Sequence, residues 1–90
     1  MNKSEFIDAV AAASGLTKAD AGKAIDGMID TVTTTLKKGD SITLVGFGTF
    51  ETRHRKARVG RNPRTGEALQ IAASNIPSFK AGKALKDAVN

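Results

Sequence analysis

Apolar residues recur at a helical period through residues 1–40 and change to an alternating one after them. Phe6, Ile7, Val10 and Ala11 share one helical face. Ahead of them, Asn2 and Glu5 have the spacing of a capping box, and Gly15 stands where a helix C′ residue belongs. Thr17 with Asp20 repeats the start signal. Ala21, Ile25, Met28, Ile29, Val32 and Leu36 then make a long apolar stripe, with Lys23, Asp26 and Asp30 on other faces. Lys37 and Lys38 complement the helix dipole, and Gly39 stops the helix. Residues 1–40 thus predict a helical hairpin.

From Ser41 to Val45 the pattern alternates and is β-prone, and Gly46-Phe47-Gly48 makes a tight connection into Thr49-Phe50. Glu51 to Arg58 is almost entirely polar and basic, and residues 60–66 are turn-rich. Leu69 to Ile76 returns to β-compatible residues, Pro77 is expected to close that strand, and residues 83–89 form a short terminal helix after Gly82. The middle of this region has nothing to pack with. Arg53, His54, Arg55, Lys56 and Arg58 are expected to face Gln70, Ala72, Ala73 and Ser74, and an isolated two-stranded hairpin is marginal in water. Residues 53–75 are therefore expected to protrude as a mobile arm, with 59–66 its least ordered part. A basic edge hairpin lying on the body is the alternative.

Ninety residues permit one domain with a modest core. Its parts are the helical hairpin 1–40, the sheet and terminal helix at 41–52 and 76–90, and the arm 53–75. Phe47, Phe50 and Phe79 are too many large apolar groups for such a body alone, so they are expected to form a core shared with a second copy. With no cysteine, disulfides and thiolate metal sites are excluded, and oligomerisation is the stabilising device left. A cysteine-free chain fits a reducing cytosol. The first apolar stretch is too short and too charged for a signal or membrane segment.

Charge sharpens the picture. Residues 1–50 carry five Lys against six Asp/Glu, a net of −1, while residues 51–90 carry nine Lys/Arg against three Asp/Glu, a net of +6. A polyanionic partner follows, nucleic acid or an anionic membrane, against a merely solvated basic face. One histidine and no cysteine supply no nucleophile–base pair, and neither Gly46-x-Gly48 nor the Gly60/Gly66 spacing fits a nucleotide-binding loop. No enzyme, catalytic residue, metal or cofactor is expected. Arg53, Arg55, Arg58, Arg61 and Arg64 suit phosphates and narrow minor grooves, and Lys80, Lys83 and Lys86 suit a phosphate rail. No aromatic residue lies in the arm, which argues against single-stranded nucleic acid. Pro63 at the tip fits either a wedge entering a base step or a plain turn residue.

The segments Gly46-Phe47-Gly48-Thr49-Phe50, Gly60-Arg61-Asn62-Pro63-Arg64-Thr65-Gly66 and Pro77-Ser78-Phe79-Lys80-Ala81-Gly82-Lys83-Ala84-Leu85 closely resemble the bacterial HU family, as does the Met1-Asn2-Lys3 start. HU and integration host factor are minor-groove architectural proteins. The resemblance implies an α+β fold, with an N-terminal helical hairpin, a three-stranded antiparallel sheet carrying a long β-ribbon arm, and a short C-terminal helix. It further implies an intertwined dimer with Phe47, Phe50 and Phe79 in the shared core. Pro63 would intercalate, Arg61, Asn62 and Arg64 would line the groove beside it, and Arg53, Arg55 and Arg58 would follow the arm. Lys3, Lys80, Lys83 and Lys86 would hold phosphates on the flanks. The implied function is architectural and nucleoid-associated, in the bacterial cytoplasm. Double-stranded DNA would be bound with little sequence specificity, bent, wrapped and compacted, with nicked or distorted sites preferred. The expected partners are that DNA and a second copy of the chain, or a paralogous subunit. RNA is secondary, and a membrane is not expected. A sequence-specific relative of the integration host factor type remains the nearest rival.

Overall fold

Helix α1 spans Lys3–Ser14, and its start is set by Asn2, whose Oδ1 accepts from Glu5 N at 2.8 Å. Glu5 leaves its carboxylate to solvent, so only half of the expected capping box forms. Gly15 ends the helix at φ 75° and donates to Ala11 O at 3.0 Å. Helix α2 (Lys18–Lys37) begins in the same way, with Thr17 Oγ1 accepting from Asp20 N at 3.1 Å.

The computed structural model describes residues 1–90, and these divide into two compact units, Met1–Thr34 and Thr35–Asn90. In the first, α1 and most of α2 run antiparallel. Lys3 Nζ lies 2.7 Å from Asp26, Lys18 Nζ lies 3.6 Å from Asp8, and Ile7 packs over Gly22 between these two ion pairs. The buried apolar side chains of the whole chain are Ala11, Ala21 and Ile25, all in this unit. Phe6, Met28 and Ile29 of the expected apolar faces stay about half exposed. The boundary falls inside α2 rather than at Gly39 because the last helical turn is tied to the sheet. Thr52 Oγ1 donates to Leu36 O at 2.8 Å.

The second unit holds a three-stranded antiparallel sheet, order β1-β2-β5, from Ile42–Leu44 (β1), Gly48–Arg55 (β2) and Ser74–Ala81 (β5). Phe47 N donates to Leu44 O at 2.9 Å to close the β1–β2 turn, and its third residue, Gly46, sits at φ 82°, where a side chain would be strained. Strands β3 (Arg58–Arg61) and β4 (Ala68–Ile71) pair only with each other. Helix α3 is Lys83–Ala88.

Two strand expectations need correction. Pro77 does not close a strand; it sits inside β5, opposite Thr52. As β5 is an edge strand, a residue without an N–H can stand there with its nitrogen toward the open side. The cross-strand partners also differ. Arg53 faces Ile76, His54 faces Asn75 and Arg58 faces Ile71, while Arg55 does face Ser74. Lys56-Ala57 and Ala72-Ala73 interrupt the ladder, so the ribbon is two short ladders in succession.

Candidate nucleic-acid interface

Along β2 side chains alternate between faces. Phe50, Thr52 and His54 share one face, and Thr49, Glu51, Arg53 and Arg55 share the other. The register adds Phe79, Pro77 and Asn75 to the first, and Lys80, Ser78, Ile76 and Ser74 to the second. The first face carries the aromatic cluster. Phe79 lies 4.8 Å from Phe50 and 5.5 Å from Phe47 between ring centroids, both pairs tilted. The three expected core rings are thus brought together, yet Phe47 is 45% exposed and Phe79 41%.

The second face carries charge. Glu51 sits between two of the expected phosphate ligands, 3.2 Å from Lys80 Nζ and 3.8 Å from Arg53 Nε. Beyond it, Arg55, Arg58, Arg61 and Arg64 are exposed and form no ion pair. Their cross-strand partners are uncharged: Ser74 for Arg55, Ile71 for Arg58 and Ala68 for Arg61. These cations therefore have no internal counter-charge to exchange before meeting a phosphate.

The tip is closed by its own backbone. Asn62 N donates to Glu67 O at 2.9 Å, and Asn62 O accepts from Gly66 N at 2.8 Å. The Asn62 carboxamide is also engaged, accepting from Arg64 N at 2.9 Å across Pro63. Arg61 Nη1 donates to Gly66 O at 3.4 Å. Asn62 thus organises the turn that presents Pro63, with one bond accepted by its side-chain oxygen.

On α3, Lys83 and Lys86 stand three residues apart and unpaired. Lys3 belongs to the other unit and is held by Asp26. Sequence reasoning missed Glu51 as a counter-ion, the Lys3–Asp26 pair and the His54–Asn75 contact. Only the i, i+2 spacing of Glu51 and Arg53 could have signalled any of them. No group of His, Asp and Glu is arranged to hold a metal ion, and no helix is long and apolar enough to cross a membrane.

A helical hairpin followed by a small antiparallel sheet, with two strands leading into an arginine-bearing ribbon, defines the class of architectural DNA-binding proteins. Residues 1–90 match the family model described as bacterial DNA-binding protein. The chain is 65% identical to DNA-binding protein HU of Xylella fastidiosa, covering 99% of this chain and 95% of that one. It is 59% identical to DNA-binding protein HU-beta of Escherichia coli over the full length of both. Among solved structures, the Anabaena HU–DNA cocrystal structure matches with a TM-score of 0.89 and 46% identity, covering 99% of this chain and 97% of that one. The chain belongs to the HU family of bacterial DNA-binding proteins.

Proposed function

We propose that a dimer of this chain grips duplex DNA in the minor groove with its two arms and bends it, in the bacterial nucleoid. The observation that carries this reading is the ribbon from Arg53 to Asn75, with Arg55, Arg58, Arg61 and Arg64 unpaired along it and Pro63 held at a self-closed tip. Arg61 and Arg64 enter the groove beside Pro63, while Asn62 acts by shaping the tip. Arg53, Arg55 and Arg58 follow the arm along the duplex. Lys80, Lys83, Lys86 and Lys3 take phosphates on the flanks. Pro63 brings an apolar wedge without an N–H to satisfy, and such a wedge unstacks a base step at a cost of roughly a few kcal/mol. Sites already nicked or bent have part of that deformation done, so they bind more tightly. The binding involves no catalytic step.

Dimerisation rests on the half-exposed Phe47 and Phe79 and on the scarcity of buried side chains in one chain. Burying such a ring completely is worth roughly 1.5–3 kcal/mol, and covering the part still exposed here somewhat under half of that. Sedimentation at micromolar concentration is expected to show a dimer, and a stable folded monomer would remove that step.

A salt-titrated gel shift with linear, nicked and cruciform DNA tests the function. Affinity should fall roughly 10³–10⁵-fold between ~50 and ~200 mM salt for ~6–10 phosphate contacts. Nicked and cruciform DNA should bind more tightly than linear duplex at every salt concentration. Equal affinity for all three would contradict bending.

A further inference from the structure

One face of the three-stranded sheet is taken by its aromatic rings, but the opposite face carries groups outside the contacts already assigned. Thr43 of β1 stands across from Thr49 of β2, and Thr49 across from Lys80 of β5, so these three make one row over all three strands. Thr43 is exposed and Thr49 half-buried. Their hydroxyl oxygens lie 3.4 Å apart. Each hydroxyl has a single proton, so whichever of them donates across this gap, the other's proton has no acceptor in the chain. The row thus sets a neutral donor beside a cation.

Two features of the same face point to an anion. The first is Glu51, two residues along β2 from Thr49, whose carboxylate lies 3.2 Å from Lys80 Nζ and 3.8 Å from Arg53 Nε. It is the one acid of the three strands, and the cations of this face already gather around it. The second is continuity with the arm. Strand β2 runs unbroken from Gly48 to Arg55, and Thr49, Arg53 and Arg55 share its outward face. Arg53 to Thr49 is about 13 Å along an extended strand, so a duplex lying on Arg55 and Arg53 meets the row next. Lys80 rises from that row on a flexible four-carbon stem, able to turn from Glu51 to a phosphate above Thr49.

We infer that this row is a phosphate seat on the floor of the sheet, where the Thr43–Thr49 hydroxyl pair and Lys80 hold one DNA backbone phosphate. The inference rests on the DNA-binding reading and adds neutral ligands to its cations. Hydroxyl contacts to phosphate carry no sequence information; they fix where the duplex lies on the protein. Their signature differs from that of a charge. A lysine that meets a phosphate releases a counterion, and a hydroxyl releases none. Loss of the hydroxyls therefore weakens binding by one factor at every salt concentration, whereas loss of a cation changes the salt dependence itself.

The test titrates the full chain against a linear duplex by fluorescence anisotropy, at several salt concentrations between ~50 and ~200 mM. Valine keeps the branched shape and strand preference of threonine without its hydroxyl. Thr43→Val with Thr49→Val should weaken binding about tenfold for each chain engaged, as loss of a hydrogen bond to a charged group does, with the salt slope unchanged. Thr43→Ser with Thr49→Ser keeps both hydroxyls and should bind within about twofold of wild type. A double-mutant cycle reads the link to Lys80. Once Lys80→Gln is present the valine pair should cost little more, because the shared phosphate has lost its charged ligand. Melting curves show whether each variant is folded; if the valine pair is not, Thr43→Val alone, at the exposed position, carries the same test. Wild-type affinity in the valine variant, a changed slope, or a full loss on top of Lys80→Gln would overturn the inference. Failure of the wild-type chain to bind at any salt concentration would instead overturn the reading beneath it.

Discussion

A Cβ built on Gly48 would lie 2.5 Å from the Lys80 carbonyl oxygen and collide with the Phe79 ring, and one on Gly82 would come within 2.7 Å of the Gly46 oxygen. A Cβ on Gly66 at the tip would meet nothing within 4 Å, and what favours glycine there is its own φ of 72° and no neighbour. Both regions are distinctive in sequence, but they are used in opposite ways. In the first, backbones touch. Gly82 N donates to Phe47 O at 2.7 Å and Leu85 N to Gly46 O at 3.1 Å, which binds the β1–β2 turn to the start of α3. In the second, the loop closes on itself and leaves Pro63 and its arginines outward. A distinctive motif therefore marks constraint without saying whether packing or a ligand imposes it; the neighbours of its glycines decide.

The largest effect expected from this contrast is on Gly48. Gly48→Ala pushes a methyl group against backbone that cannot swing away, and should destabilise the chain by about 3 kcal/mol or more. That lowers Tm by more than about 12 °C in a domain of this size, as thermal melting by circular dichroism would read. A Tm within a few degrees of wild type would mean that β5 moves aside easily, and the division of the two motifs would weaken.

Pro63→Ala should do the reverse. Stability should change by less than ~1 kcal/mol, since the tip bonds run through Asn62, Gly66 and Glu67 and do not need the proline. The bend, measured by energy transfer between the ends of a labelled duplex, should fall far more than affinity does. Equal losses of the two would assign Pro63 to the turn alone.

How far the sequence could be read follows the same division. Helix ends were legible because caps are local: Asn2 with Glu5, Thr17 with Asp20, and Gly15 lie within one turn of what they satisfy. The arm was legible because a run of basic residues from Arg53 to Arg58 leaves a strand little to bury. Pro77 misled because a proline reads as a breaker until its strand is known to be an edge, a property of the sheet and not of the segment. The interruption at Lys56-Ala57 and Ala72-Ala73 and the engaged state of Asn62 were hidden for a related reason. Both depend on which residues face each other across the ribbon. Lys3 and Lys80 carried the right charge in sequence, but their partners Asp26 and Glu51 lie on another helix and another strand.

Glu51 offers the finest division between an engaged and an unengaged cation. It holds Lys80 and Arg53 on the charged face, while Arg55, Arg58 and Arg61 have no such partner. When phosphates replace Glu51 on these two cations, the released carboxylate gathers a counterion of its own, so the wild-type chain releases fewer ions in net than its contacts suggest. Glu51→Gln removes that uptake. A plot of log affinity against log salt should steepen by up to about 0.9 per chain, with tighter binding at low salt. Stability should change by less than ~1 kcal/mol, because the pairs lie largely at the surface. An unchanged slope would mean that Glu51 keeps Lys80 and Arg53 in the complex, leaving the arm arginines and the α3 lysines to carry the phosphate contacts alone.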